Sequence, residues 1–172
     1  YHPLPVVLEK GEGVHVWEVE GKKYYDFLSA YSAVNQGHSH PKILQALIDQ
    51  ASKLALTSRA FYNSSLGEYE KKITSIFGFD KVLPMNSGAE AVETAVKLAR
   101  KWSYEVKGIA ENAAKIIVCE NNFHGRTTTI VAFSNDPDAS KNYGPFTPGF
   151  IKIPYNDLST LEETLKNDAD NI

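Results

Sequence analysis

The chain has 172 residues, 42% of them hydrophobic and 23% charged, with a net charge of −3 and one cysteine, Cys119. That composition suits a globular fold with a real core, excludes an internal disulfide, and offers nucleic acid no basic patch. No apolar run approaches the roughly 18 residues that a membrane span requires, so neither nucleic acid nor a membrane is expected as a partner. A single free cysteine fits a reducing, cytoplasmic setting. The sequence opens on Tyr1 rather than methionine and stops at Asn171-Ile172 straight after a helical pattern, and so reads as a piece of something longer.

Tyr1 to Glu9 carries Pro3 and Pro5 and is expected to be extended. Val14, Val16 and Glu18, then Lys23 to Phe27, read as two strands around a hairpin turn at Glu20-Gly21. Leu28 to Gly37 is small and polar, a loop by composition that nevertheless holds Tyr31. His38-Ser39-His40 has the look of a metal pair, but no third ligand stands at a recognisable spacing, so no metal is expected. Pro41 suits the first turn of a helix whose Ile43, Leu44, Leu47 and Ile48 recur at helical spacing. A second helix is predicted over Leu66 to Phe77.

Lys81 to Met85 reads as a short apolar strand, Asn86-Ser87-Gly88 as a turn, and Val92, Ala95, Val96, Ala99 and Trp102 as the apolar stripe of a helix reaching about Lys107. Ser87 with Glu90 three residues on is a capping box. A strand turning sharply into a helix aims unpaired N–H groups at one point, and the helix dipole adds roughly half a positive charge there. Gly88 would let an anion reach the backbone without meeting a side chain. An ordinary capped helix behind a strand is the competing reading of the same spacing.

Lys115 to Glu120 (KIIVCE) is a continuous apolar run, typical of a strand covered on both faces, with Cys119 inside it as a core residue. It leads into Asn121-Asn122-Phe123-His124-Gly125-Arg126. Thr127 to Phe133 is ambiguous between helix and strand, Asn135 to Gly149 is a proline-rich loop, Phe150 to Pro154 a strand and Leu158 to Lys166 a helix. The order from Lys81 onward is an α/β pattern with a parallel sheet, in which ligands sit beyond the carboxyl ends of strands. The Asn86 turn and the Phe123–Arg126 loop both follow strand ends, and so can line one cleft. Arg126 beside Phe123 and His124 could bind a carboxylate bidentately while the rings stack on a flat ligand; a structural ion pair explains the same residues.

NSGAEA opening a helix, followed by NNFHGRT after the next strand, resembles the class III (ω-type) aminotransferases of pyridoxal 5'-phosphate (PLP) fold type I. DFLSAYSAVNQGHSHPKI, LTSRAFYN, GEYE, KLARKW and NYGPFTPGF extend the resemblance across essentially the whole chain. They are similar to the members that move the δ-amino group of ornithine to 2-oxoglutarate. The resemblance implies an α/β fold: an incomplete PLP-binding large domain over 42–172, preceded by an N-terminal segment, 1–41, with a β-hairpin. It implies that Ser87, Gly88 and Ala89 bind the PLP phosphate, that Phe123 stacks on the pyridine ring, and that His124 lies beside it. It assigns Arg126 to the substrate α-carboxylate, and Tyr1 and Tyr31 to the substrate end of the cleft.

The family's Schiff-base lysine lies outside the chain and no lysine here matches its motif, so no catalytic residue is expected and the chain alone is expected to be inactive. A homodimer is implied, with a mitochondrial location in place of the cytoplasm if the source is eukaryotic. Two alternatives remain: another ω-aminotransferase, for acetylornithine or 4-aminobutyrate, and a non-enzymatic phosphate-binding module.

Overall fold

The computed structural model describes residues 2–172. The fold divides into two compact units, the first ending at Ile76 and the second spanning Phe77–Ile172.

In the first unit, β1 (Leu8–Glu12), β2 (His15–Glu18) and β3 (Lys23–Tyr25) form an antiparallel sheet in sequence order. The hairpin expected around Glu20-Gly21 is β2–β3, with Val16 opposite Tyr24. Part of the segment expected to be merely extended is β1, which pairs Gly11 with Val16. Alternation explains the face each residue takes: Val16 is buried, while Trp17 points the other way between the ammonium groups of Lys10 and Lys23, at 4.8 and 5.2 Å.

The polar stretch expected as a loop contains a single helical turn, α1 (Ser29–Ser32), whose residues all carry positive φ, from 48° to 70°. Four successive non-glycine residues in the left-handed region are strained. Asp26 holds the entry to the turn, its Oδ1 accepting from the N–H groups of Leu28 and Ser29 at 3.1 and 2.9 Å. Its other oxygen lies 2.7 Å from His38 Nε2. The His38 hydrogen bond and the Ser29 N–H hold the Asp26 carboxyl below the usual carboxylate range. Helices α2 (Pro41–Lys53) and α3 (Ser64–Phe77) follow. Pro41 opens α2 as expected, and α3 starts two residues earlier than its apolar pattern does.

In the second unit, α4 (Gly88–Glu105) is the long helix and starts where the capping box places it. Ser87 Oγ accepts from Glu90 N–H at 3.2 Å, and the Glu90 carboxylate accepts from Asn86 N–H at 2.9 Å. Strand β4 (Ile116–Cys119) pairs in parallel with β5 (Phe150–Ile153), Ile116 opposite Phe150 and Cys119 opposite Ile153. The connection runs through α5 (Thr128–Val131) and α6 (Pro137–Ser140), and α7 (Leu158–Asp168) follows β5. The ambiguous Thr127–Phe133 stretch is thus helical, and the proline-rich loop includes a helical turn. The core of this unit comprises Val96, Ile109, Ala114, Ile130, Val131, Phe133 and Ile153. Phe133 and Ile130 are its largest fully buried side chains.

Two expectations need correction. Lys81 to Met85 is not a strand, and no sheet among the described residues includes it. An apolar run becomes a strand only when a neighbour takes its hydrogen bonds. β4 is half-buried rather than covered on both faces, since β5 is its one paired neighbour among the described residues.

Asp157 caps α7, its carboxylate accepting from Thr160 N–H at 3.0 Å and from the Ser159 and Thr160 hydroxyls at 2.7 Å. These bonds lower its pKa to about 2 from an ordinary 3.8. A lowered carboxyl pKa stabilises the fold above the ordinary value, and that contribution disappears as pH falls through the folded one. Asp157→Ala is therefore expected to lower the melting temperature at pH 7. The gap to wild type should close progressively between pH 4 and pH 2, as followed by thermal melts across that range.

Candidate functional site

The start of α4 supplies the first half of the site. Its first intrahelical bond runs from Ala91 N–H to Ser87 C=O at 3.0 Å, so the N–H groups of Gly88 and Ala89 precede the helical ladder. Nothing lies within 4 Å of where a Cβ on Gly88 would stand. An anion can thus approach the positive end of an 18-residue helix directly over the backbone.

The loop after β4 supplies the second half. Asn122 anchors it, its side-chain amide donating to Cys119 C=O at 2.6 Å and to Phe133 C=O at 3.1 Å. Gly125 sits at φ +124°, and a Cβ there would lie 2.9 Å from Ala89 Cβ and 3.2 Å from Ile130 Cδ1. This contact sets the loop against the first turn of α4. The Asn86 turn follows no strand among the described residues, so this contact, and not a pair of strand ends, brings the two stretches together. The neighbouring Thr127 hydroxyl donates to Glu93 Oε1 on α4 at 2.5 Å.

Phe123, His124 and Arg126 line a cavity of about 360 Å³ together with Ile130 and the stretch from Ser134 to Pro137. Ser87 to Ala89 do not line that cavity; the Gly125–Ala89 contact is what joins the two halves. The Arg126 guanidinium carbon stands 5.1 Å from the centre of the Phe123 ring, a cation–π arrangement that gives the side chain a direction. Phe123 is 72% exposed and presents a flat apolar ring. The His124 ring lies 5.9 Å from buried Phe133, which in turn packs 4.5 Å from Phe150.

Tyr31 is exposed in the left-handed turn of the first unit, while Tyr1 lies outside the described residues. His38 is engaged by Asp26 and packs across Gly11, where a Cβ would meet its ring at 2.7 Å. His38 is thereby part of the scaffold around the Tyr31 turn, while His40 Nδ1 is buried without a hydrogen-bond partner. Two residues that sequence reasoning did not single out take part in the scaffold, Asp26 and Glu93. Asp26 opens the DFLSAYSAVNQGHSHPKI stretch and Glu93 follows NSGAEA, and in each case the signal was a carboxylate placed beside an otherwise apolar pattern.

The donors fit PLP. The open N–H groups at Ser87, Gly88 and Ala89 match a phosphate, and the largely exposed ring of Phe123 matches an aromatic heterocycle. With that geometry the chain defines a class: it belongs to the class-III aminotransferase family, whose model matches residues 1–171. Particular relatives sharpen the picture. The mitochondrial ornithine aminotransferase of Drosophila ananassae is 66% identical over 167 residues, covering 97% of this chain and 39% of that protein. Among solved structures, the ornithine aminotransferase of Toxoplasma gondii ME49 is 50% identical with a TM-score of 0.94, covering 96% of this chain and 39% of that one. The acetylornithine aminotransferase of Elizabethkingia anophelis is 84% identical with a TM-score of 0.84, covering all of this chain and 41% of that one. The chain therefore spans about two fifths of the length of these relatives, and its fold is part of PLP fold type I.

Gly125→Ala is expected to destabilise the protein by about 1–3 kcal/mol, because it adds both backbone strain and a clash. Ala89→Gly in the same background removes the clash and leaves the strain, so denaturant titration should show partial recovery. Full recovery would mean that the backbone at 125 is unstrained.

Proposed function

We propose that this chain is the N-terminal, cofactor-binding portion of a PLP-dependent transaminase that moves the δ-amino group of ornithine to 2-oxoglutarate, giving glutamate 5-semialdehyde and glutamate. The observation that carries the proposal is the packing of Gly125 on Ala89. It sets the loop bearing a flat ring and an oriented guanidinium against an open helix start. The identity to ornithine aminotransferases from distant organisms supports the substrate.

In this reading Ser87, Gly88 and Ala89 hold the phosphate, Phe123 stacks on the pyridine ring and His124 flanks it. Bound PLP supplies an electron sink for the carbon that carries the amine. Arg126 binds the α-carboxylate, since its planar fork offers two parallel donors that a lysine cannot reproduce. Tyr31 and Tyr1 offer hydroxyls to the α-end of ornithine, which keeps the δ-amine toward the cofactor. The Schiff-base lysine is assigned outside these 172 residues, so the chain has binding roles and no catalytic residue. We assign residues 1–41 to an N-terminal segment and 42–172 to the large domain. The protein is assigned as a homodimer in the cytoplasm of a bacterial source or the mitochondrial matrix of a eukaryotic one. No helix among the described residues is long and apolar enough to cross a membrane.

The second reading, favoured by the 84% identity to the Elizabethkingia protein, is acetylornithine as substrate. Acetylation removes the α-amine charge and one set of polar partners. A site that reads that amine should discriminate by about 1–3 kcal/mol, roughly tenfold or more. In the protein that carries these residues, kcat/KM for ornithine is expected to exceed that for N-acetylornithine by at least that margin; the reverse ratio would transfer the assignment to the second reading. Gly88→Asp is expected to abolish PLP retention, because it sets a carboxylate against the phosphate dianion at the helix start. Unchanged cofactor absorbance after dialysis of that variant would remove the phosphate site from Ser87–Ala89.

A further inference from the structure

Three ties hold the loop that carries Phe123 and Arg126. Asn122 bonds the start of the loop to its own flanks, and Gly125 packs on Ala89 without directional preference. The third is polar and directional: the Thr127 hydroxyl donates to Glu93 on α4, at 2.5 Å. Thr127 is the N-cap residue of α5, where a threonine ordinarily caps the helix with its side chain, yet it makes no such capping bond. Its hydroxyl is directed at the other helix instead. Both partners are half-buried, and Thr127 adjoins Arg126 in the chain. Any rotation of the loop about Gly125, whose φ of +124° lies where few side chains settle, would have to break this bond.

We propose that Glu93 is a positioning residue. Through Thr127 it sets the direction in which the Arg126 guanidinium leaves the loop, and so governs carboxylate binding without touching substrate or cofactor. A bidentate guanidinium–carboxylate pair is demanding in angle, and displacement of a binding group by about 1 Å can weaken productive binding many-fold. The helix that presents the phosphate donors at Gly88 and Ala89 thus also orients the carboxylate donor, a little over one turn further along. Cofactor phosphate and substrate carboxylate are referenced to one rigid body. This inference rests on the proposed function for the identity of the ligand, but not for the tie itself.

The test uses four single variants and one double in the intact holoenzyme. Thr127→Val keeps the side-chain shape and removes the donor, and Glu93→Ala removes the acceptor. Thr127→Ser and Glu93→Gln keep a donor and an acceptor respectively. Thr127→Val and Glu93→Ala are each expected to raise KM for ornithine about tenfold, with kcat within about twofold and cofactor absorbance retained. The two conservative variants should stay near wild type. The double variant Glu93→Ala/Thr127→Val should be no worse than the poorer single one, as required of two residues that act through one bond.

A readout independent of turnover is amide hydrogen exchange over residues 125–127 without substrate, which should accelerate in Thr127→Val and Glu93→Ala alone. Unchanged exchange or unchanged KM in Thr127→Val overturns the proposal, as does additivity in the double variant. If wild type retains PLP but uses another ω-amine in place of ornithine, the substrate assignment fails. The same KM comparison with that amine then decides the role of Glu93.

Discussion

The second unit depends on a close approach between a loop and a helix end. Gly125 lies against Ala89 because it lacks a Cβ and can occupy φ +124°. Without that approach the loop after β4 and the start of α4 would be two separate features, each with a bland explanation. With it, the dipole end of an 18-residue helix and an oriented guanidinium belong to one rigid assembly. The buried pair Ile130 and Phe133 braces the loop from behind, Ile130 touching the Gly125 position and Phe133 the His124 ring. Core packing and site geometry are here the same set of contacts.

The parallel pair β4–β5 explains why the loop stands where it does. A parallel register requires a long crossover, and the chain uses it to build α5 and α6 beside the loop. The far end of the crossover is fixed by Arg100, which donates to Pro148 C=O at 2.6 Å and lies 5.1 Å from the Phe150 ring centre. Helix α4 therefore holds both ends of the crossover, Thr127 through Glu93 and Pro148 through Arg100. Residues 93 and 100 are two turns apart and share a face of the helix, with buried Val96 between them.

The first unit solves a different problem. It presents Tyr31 on a turn whose four residues are all left-handed without a glycine, a conformation that costs free energy. Asp26 compensates by accepting two N–H groups at the entry and by engaging His38. His38 is fixed in turn by reciprocal backbone bonds to Gly13, at 2.8 and 3.0 Å.

Local signals were strong enough to be read directly from the residues. The Ser87–Glu90 capping box located the start of α4 because both partners lie within one turn. The β2–β3 hairpin and the Pro41 helix start are likewise determined by neighbours in sequence, as is the placement of Cys119 in a strand. What the sequence left open involves partners distant along the chain. Lys81 to Met85 is apolar enough for a strand, but pairing depends on a neighbour that no local pattern supplies. The Tyr31 turn is entered through Asp26, five residues before the tyrosine, and Asp26 in turn meets His38 twelve residues along the chain. Whether Arg126 stacks on Phe123, and whether Glu93 meets Thr127 thirty-four residues later, follows from how β4 delivers the loop onto α4. Periodicity and capping are set by residues within about four positions of one another. A site built from a helix start and a later loop is set by packing, and only the tertiary structure brings its halves together.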